Sequence, residues 1–174
     1  EIAVMSLGGV VFSKSLRIAG DAMDGAIINY MRKKFNLLIG ESTAEKIKKE
    51  IGTAIPTSNN IFLMKGRDIR TGTPKEISLT EEDACEALMP ILNQMLSAIK
   101  EALESTPPEL SADLVDMGLV LTGGGALLKN IDKLISKDTG LPVTIADNPL
   151  ECVATGTGKA LENEELFSTM LSEY

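Results

Sequence analysis

Three consecutive glycines stand within Leu121-Thr122-Gly123-Gly124-Gly125-Ala126, between a short apolar run and a helical pattern. Without Cβ atoms the backbone there can approach a ligand closely, and the N–H groups opening the next helix can face an anion. The same residues serve equally well as a tight strand-to-helix turn. A second group is Glu45-Lys46-Ile47-Lys48-Lys49. Glu45 and Lys48 stand three apart on one helix face. A carboxylate can accept from ribose hydroxyls, and a lysine stem can cover a purine ring while its head stays in water. Against this, Glu45 serves as a helix cap and Lys48 as a solvated charge. Gly156-Thr157-Gly158 interrupts a helical pattern, where glycine is unfavourable, so either close packing or ligand approach explains it. Asp21 and Asp24 suggest metal binding or acid/base work, but Asp21 reads more simply as a helix cap. No nucleophile stands beside a base, and no catalytic residue and no metal ligand is assigned.

Composition narrows the chemistry further. The 174-residue chain has no histidine, and its cysteines, Cys85 and Cys152, are far apart. That argues against a zinc site and removes any Ser-His or Cys-His triad. Two scattered thiols fit a reducing, cytosolic setting. The net charge of -8, without a basic block, argues against gripping a nucleic-acid backbone or anchoring electrostatically to a membrane. The apolar fraction of 44% supports a core, and with aromatics at 3% that core is mostly aliphatic. No stretch approaches the roughly 18 apolar residues of a spanning helix. The chain opens on Glu1-Ile2-Ala3-Val4-Met5, without an initiator methionine and inside a strand-like run, and so reads as a fragment.

The elements that must position these residues follow from periodicity. Residues 2–6 and 10–18 flank Gly8-Gly9 as a β-hairpin. Met23, Ala26, Ile27, Tyr30 and Met31 recur at helical spacing and predict a helix to about Phe35. Ser42-Thr43-Ala44-Glu45 predicts a capping box opening a second helix, with Ala44, Ile47 and Ile51 inward and Gly52 as its stop. Residues 61–64 and 75–79 predict a hairpin. Thr80 then caps a long helix, acid-rich in its first turn, which Pro90 kinks or divides and Thr106-Pro107-Pro108 ends. Strand 118–121, the glycine turn, a helix with Leu127, Leu128, Ile131, Leu134 and Ile135 inward, and strand 143–146 follow. A final helix is expected to open with Asn148 as cap and Pro149 at its first position. This alternation predicts a parallel α/β unit. An α/β lobe built from both ends of the chain, with residues roughly 20–82 inserted as a small α+β lobe, is the expected architecture.

Taken together these segments resemble the actin, heat-shock-70 and sugar-kinase superfamily, and within it the MreB family of rod-shape-determining bacterial actins. Leu121-Thr122-Gly123-Gly124-Gly125-Ala126 is similar to the superfamily's adenosine motif, and Ser42 to Lys48 to its purine and ribose helix. Ser6-Leu7-Gly8-Gly9, Ala19-Gly20-Asp21 with Asp24, Glu76 to Thr80, Thr106 to Leu110 and Val153 to Leu161 also resemble the family. The resemblance covers nearly the whole chain, except the tail after Glu162. It implies an actin-like ATPase lobe of ribonuclease-H-like fold, with 1–19 and 83–174 as subdomain IIA and 20–82 as subdomain IIB. It implies that Glu45, Lys48, Lys49, Thr122, Gly123, Gly124, Gly125 and Ala126 bind the cofactor, ATP or ADP with Mg²⁺ in the intact protein. The phosphate loops, the catalytic acid and the water-positioning residue would precede Glu1. The intact protein would be a weak ATPase, while this chain alone would be inactive and bind nucleotide weakly or not at all. The resemblance further implies filaments of the protein itself at the inner face of the cytoplasmic membrane, guidance of peptidoglycan synthesis, and the partners MreC, MreD and RodZ. Membrane contact would come through the missing half, and no nucleic acid is involved. Half of a heat-shock-70-like chaperone, half of a sugar kinase, or a non-catalytic interaction domain are the alternatives. A chaperone should show a peptide-binding domain and a kinase a polar sugar pocket; neither pattern is present. A Rossmann-type domain would want GxGxxG after the first strand, which Ser6-Leu7-Gly8-Gly9-Val10 does not supply.

Overall fold

The computed structural model describes residues 1–163. The end of the assigned 83–174 segment and the tail after Glu162 therefore lie almost wholly outside the described residues. Strands β1 (Ile2–Ser6) and β2 (Gly9–Lys14) pair antiparallel, with an irregularity between Val4 and Met5. The expected hairpin forms, but its turn is Leu7-Gly8 rather than Gly8-Gly9, at φ 51° and 81°. A type I′ turn has positive φ at both central positions, as Leu7 and Gly8 do, so Leu7 is held in the left-handed region and Gly9 is freed to pair with Ser6.

Helix α1 (Gly20–Phe35) buries Met23, Ile27 and Met31, the stripe anticipated from spacing. Its N-cap is Ala19, which makes no side-chain cap bond, so Asp21 lies in the first turn and is not the cap. Asn36 ends the helix in the left-handed region at φ 52°, and the chain passes into β3 (Leu37–Leu38). This strand pairs with the end of β4 (Ile61–Asp68), which pairs in turn with β5 (Pro74–Thr80), giving the order β3-β4-β5. Two residues are too few to show an alternation, so β3 had no signal of its own. Gly66 makes it possible: a Cβ there would stand 2.7 Å from the Leu38 carbonyl oxygen.

Helix α2 (Glu41–Ile51) buries Ala44, Ile47 and Ile51 as expected, but the capping box does not form. Gly40 is the N-cap, and its carbonyl accepts from the amides of Thr43 and Ala44. Ser42 is thereby inside the first turn and cannot cap it. Helix α3 (Glu81–Glu104) opens with a true capping box between Thr80 and Asp83. Pro90 neither divides it nor ends it. Glu86 and Pro90 are both exposed, so the carbonyl that loses its intrahelical donor turns to water. The prolines after Thr106 stop α3 and also start α4 (Pro108–Met117), a helix that the sequence reading did not anticipate.

Strands β6 (Leu119–Leu121) and β7 (Val143–Ile145) pair in parallel, joined through α5 (Ile131–Thr139), which is the expected α/β unit. The glycines lead into a 3₁₀ turn, Gly124–Leu127, and not directly into a helix. Leu128, Ile131 and Ile135 are buried as expected, but Leu127 faces solvent. Helix α6 (Cys152–Glu162) begins later than anticipated, with Glu151 as N-cap. Asn148 is left-handed at φ 47°, and the Pro149 carbonyl accepts from the Gly123 amide at 2.8 Å, so residues 148–151 form a turn held against the glycines.

One cluster of buried side chains joins these elements. Ile27, Met31, Leu37, Ile47, Leu79, Leu88, Leu92 and Ile135 are its largest fully buried members, and α3 packs against α1, α2 and α5. Each such Leu or Ile contributes about 1.5–3 kcal/mol of burial. The side of α3 that meets α1 is reinforced at its edge by Tyr30, whose hydroxyl donates to Glu86 at 2.6 Å and lies 3.1 Å from Asp83, and by Lys34, which pairs with both acids. Among the described residues no helix is long and apolar enough to cross a membrane.

Candidate functional site

Helix α2 carries four charges in one turn and a half, and they divide between two directions. Lys48 turns inward. Its Nζ lies 2.9 Å from Asp24 Oδ2 and donates to the Gly20 carbonyl at 3.1 Å. Glu45 turns outward and pairs with Lys49 at 2.7 Å. The bond from Lys49 holds the Glu45 carboxyl below its usual pKa, and the same bond raises the Lys49 ammonium. Glu45 and Lys48 therefore do not present a shared face as the three-residue spacing suggested. Asp24 captures the lysine, and Glu45 takes the partner one helical turn on. A ligand on this surface would meet Glu45 and Lys49 as exposed groups, with Lys48 half hidden behind them against α1.

The glycine turn faces open space. Gly123 has φ 76°, a conformation that side chains resist, and this alone requires glycine there. Gly124 and Gly125 have ordinary φ, and both are exposed. A Cβ on Gly125 would meet nothing within 4 Å, and one on Gly124 would only touch Leu150 at 3.5 Å. Packing among the described residues does not demand glycine at either position. A surface without side chains over exposed backbone is what a bound planar group needs, so these residues fit a nucleoside lying on them. Thr122 is exposed beside them, and Ala126 is buried beneath.

What joins the two groups is a strap of irregular chain after α2. Thr53 bridges Lys129 in parallel, and the Ala54 amide donates to the Lys129 carbonyl at 2.8 Å. Lys129 Nζ donates back to the Glu50 carbonyl at 2.8 Å, and Asn130 Nδ2 donates to the Ile55 carbonyl at 2.9 Å. The end of α2 is thus fixed to the residues directly after the glycine turn. Lys48 and Lys49 lie in the helix turn at this joint, and Glu45 stands roughly 4.5–6 Å further back along the axis. The sequence reading missed Thr53, Lys129 and Asn130. Asn130 carried a faint signal, since an asparagine before a helix tolerates the left-handed φ of 59° that it adopts.

Other candidates stay apart from this joint. Gly156 and Gly158 lie on α6 with nothing within 4 Å of either ideal Cβ, so close packing does not account for them among the described residues. Asp21 is exposed. Among the described residues no three acid or thiol side chains converge as a metal cage.

The family model for the MreB/Mbl protein matches residues 1–169. The chain belongs to the MreB/Mbl family. It is 51% identical over 163 residues to the cell shape-determining protein MreB of Escherichia coli, covering 93% of this chain and 47% of that protein. It is 49% identical to the cell shape-determining protein Mbl of Bacillus cereus, covering 94% of this chain and 49% of that one. The chain thus spans about half the length of the curated relatives it matches. The crystal structure of MreB 5 of Spiroplasma citri bound to AMPPNP superposes with a TM-score of 0.89 at 37% identity, over 94% of this chain and 49% of that one. The ADP-bound form of the same protein gives 0.89 at 36%, over 98% and 51%. A MamK double helical filament shares the fold, with a TM-score of 0.64 at 19% identity over 78% of this chain and 42% of that one. The fold is therefore actin-like, as the sequence resemblance implied. The chaperone and sugar-kinase alternatives fall away with the MreB/Mbl assignment.

Proposed function

We propose that this chain forms the nucleoside side of the ATP cleft in an MreB-type cytoskeletal filament protein. The observation that carries this reading is the joint between α2 and the glycine turn, where Lys129 accepts from Ala54 and donates to the Glu50 carbonyl. It ties the chain just after one motif to the chain just after the other, which supports reading the two as one wall. The nucleotides bound to the Spiroplasma citri relatives support it. In this reading Glu45 and Lys49 address the ribose, the stem of Lys48 borders the base, and Gly123, Gly124, Gly125, Thr122 and Ala126 form the surface on which adenosine lies. Residues 1–19 and 83–174 act as subdomain IIA and residues 20–82 as subdomain IIB. The phosphate loops, the Mg²⁺ site and the water-positioning group belong to the half of its relatives' length that this chain does not span. Phosphoryl transfer depends on positioning metal, phosphates and water together. The chain alone therefore binds nucleotide weakly and does not turn it over.

In the whole protein, we assign ATP-linked self-assembly at the inner face of the cytoplasmic membrane, with MreC, MreD and RodZ as partners in guiding peptidoglycan synthesis. The membrane contact lies in the other half. Exposed Val120, Leu150 and Val153 leave apolar surface available to interlobe or filament contacts. The test is a phosphate-release and sedimentation assay on the chain alone and joined to its upstream half. We expect turnover and ATP-dependent pelleting only for the joined protein. Turnover well above buffer by the chain alone would refute the division of labour.

A further inference from the structure

The strap after α2 is an unusual piece of chain, and what fixes it is a residue that the nucleotide site does not use. Residues 52–54 are buried; the Gly52 amide still donates to the Ile47 and Lys48 carbonyls of α2, but beyond it Thr53 and Ala54 belong to no helix or named strand. Buried backbone groups must be paired, so their partners can be accounted for one by one. The Ala54 amide and the Thr53 hydroxyl reach the Lys129 carbonyl, and the Ile55 carbonyl accepts from Asn130. The Ala54 carbonyl accepts from the buried Cys85 thiol on α3, at 3.4 Å. At the far end stands Glu81, a carboxylate only 2% exposed, in the first turn of α3. Its Oε2 accepts from the amides of Thr57 and Ser58 at 2.9 and 3.0 Å, and its Oε1 from the Ser58 hydroxyl at 2.7 Å.

A buried carboxylate is costly unless its charge is met by donors, and three short bonds meet it here. Among the described residues these donors come from the strap itself, two backbone amides and one hydroxyl. The strap is therefore held at one end by the residues behind the glycine turn and at the other by α3, and α2 feeds directly into it.

We propose that Glu81 is a positioning residue for the candidate nucleoside wall: by anchoring residues 57–58 it fixes the strap, and through the strap it sets α2 against the glycine turn. This deepens the proposed function and rests on it for the ligand. The strap anchor itself stands on the hydrogen bonds alone. Glu81 touches nothing at the site, since its effect passes through Ser58, Ala54 and Lys129.

The test follows backbone amides of the 174-residue chain by hydrogen exchange and by ADP titration, with Glu81→Ala, Glu81→Gln and Ser58→Ala. In Glu81→Ala, exchange should quicken about tenfold or more at Thr57, Ser58 and also Ala54, relative to Leu88 and Leu92 in α3. Glu81→Gln keeps one acceptor oxygen, and Ser58→Ala keeps both amide bonds and loses only the hydroxyl, so both should give smaller changes in the same direction. The Ala54 amide is bonded to Lys129 and not to Glu81, so its response reports transmission along the strap. Acceleration confined to Thr57 and Ser58, or equal acceleration at Leu88 and Leu92, would overturn the proposal. In the ADP arm, shifts at Gly123–Ala126 should persist in Glu81→Ala while those in α2 weaken; both sets keeping their wild-type response would also overturn it. An absence of ADP shifts in the wild type would instead refute the nucleotide reading, and the exchange arm would still decide the role of Glu81.

Discussion

Lys48 and Asp24 form an ion pair at 2.9 Å, with side-chain exposures of only 17% and 13%. It ties α2 to the first turns of α1 and decides which way the lysine points. The other carboxylate oxygen of Asp24 is buried and has no hydrogen-bond partner among the described residues. Removing the lysine would leave a poorly solvated charge. Lys48→Ala is expected to cost about 1–3 kcal/mol in urea unfolding. Asp24→Asn added to it should recover part of that loss. Lys49→Ala, whose partner Glu45 stands in water, should leave the midpoint unmoved.

The three glycines separate under substitution. Gly123→Ala must adopt φ 76° and should lose about 1 kcal/mol or more. Gly125→Ala meets no neighbour and should melt at the wild-type temperature or slightly above. If the turn carries a nucleoside, Gly125→Val should nevertheless weaken ADP binding. Thermal unfolding and titration on the same samples check both halves. Equal destabilisation at positions 123 and 125 would mean that the turn is purely structural.

Acid should weaken the molecule through α3. Donation from the Thr57 amide first, and then from the Ser58 hydroxyl and amide, holds the Glu81 carboxyl below its usual range. Burial works against ionisation at Asp83, but the Lys34 ammonium and the Thr80 amide outweigh it, so its pKa is also lowered. A carboxylate depressed on folding stabilises above its unfolded pKa and loses that contribution as pH falls through the folded value. Stability should therefore be level above about pH 5 and fall below about pH 4. Glu81→Gln and Asp83→Asn should each flatten that limb in urea midpoints recorded against pH. Unchanged slopes would show that these bonds do not favour the ionised forms.

Pro90 sits within α3 on its exposed face. Replacing it by alanine restores a backbone donor for the Glu86 carbonyl and removes the ring that opposes that carbonyl in a helix interior. Pro90→Ala should stabilise by about 1–3 kcal/mol. A lower melting temperature would mean that the proline shapes the helix against its neighbours.

The apolar stripes of α1, α2 and α3 were legible because burial leaves a period in the sequence: Met23-Ile27-Met31 and Ala44-Ile47-Ile51 are read directly. What was misread lies where backbone geometry outweighs side-chain preference. Ser42-Thr43-Ala44-Glu45 has every residue of a capping box, but Gly40 already occupies the cap, so the motif falls two residues late. Asn148-Pro149 has the residues of a helix start, but the Pro149 carbonyl is taken by Gly123. The two groups of the site were visible as Glu45 to Lys49 and Thr122 to Ala126. Their joint was not, because it runs through backbone carbonyls and the side chains of Lys129 and Asn130, which leave no periodic trace. The inward turn of Lys48 depends on Asp24, on another helix, and no spacing rule within α2 contains it.

The claim beneath all of this is that α2 and the glycine turn are two parts of a single adenosine surface. Amide resonances of the chain followed during an ADP titration test it most directly. We expect Glu45–Lys49 and Gly123–Ala126 to shift together along one binding curve at high nucleotide concentration. Movement of one group without the other, or shifts scattered over surface lysines far from the Lys129 joint, would contradict it.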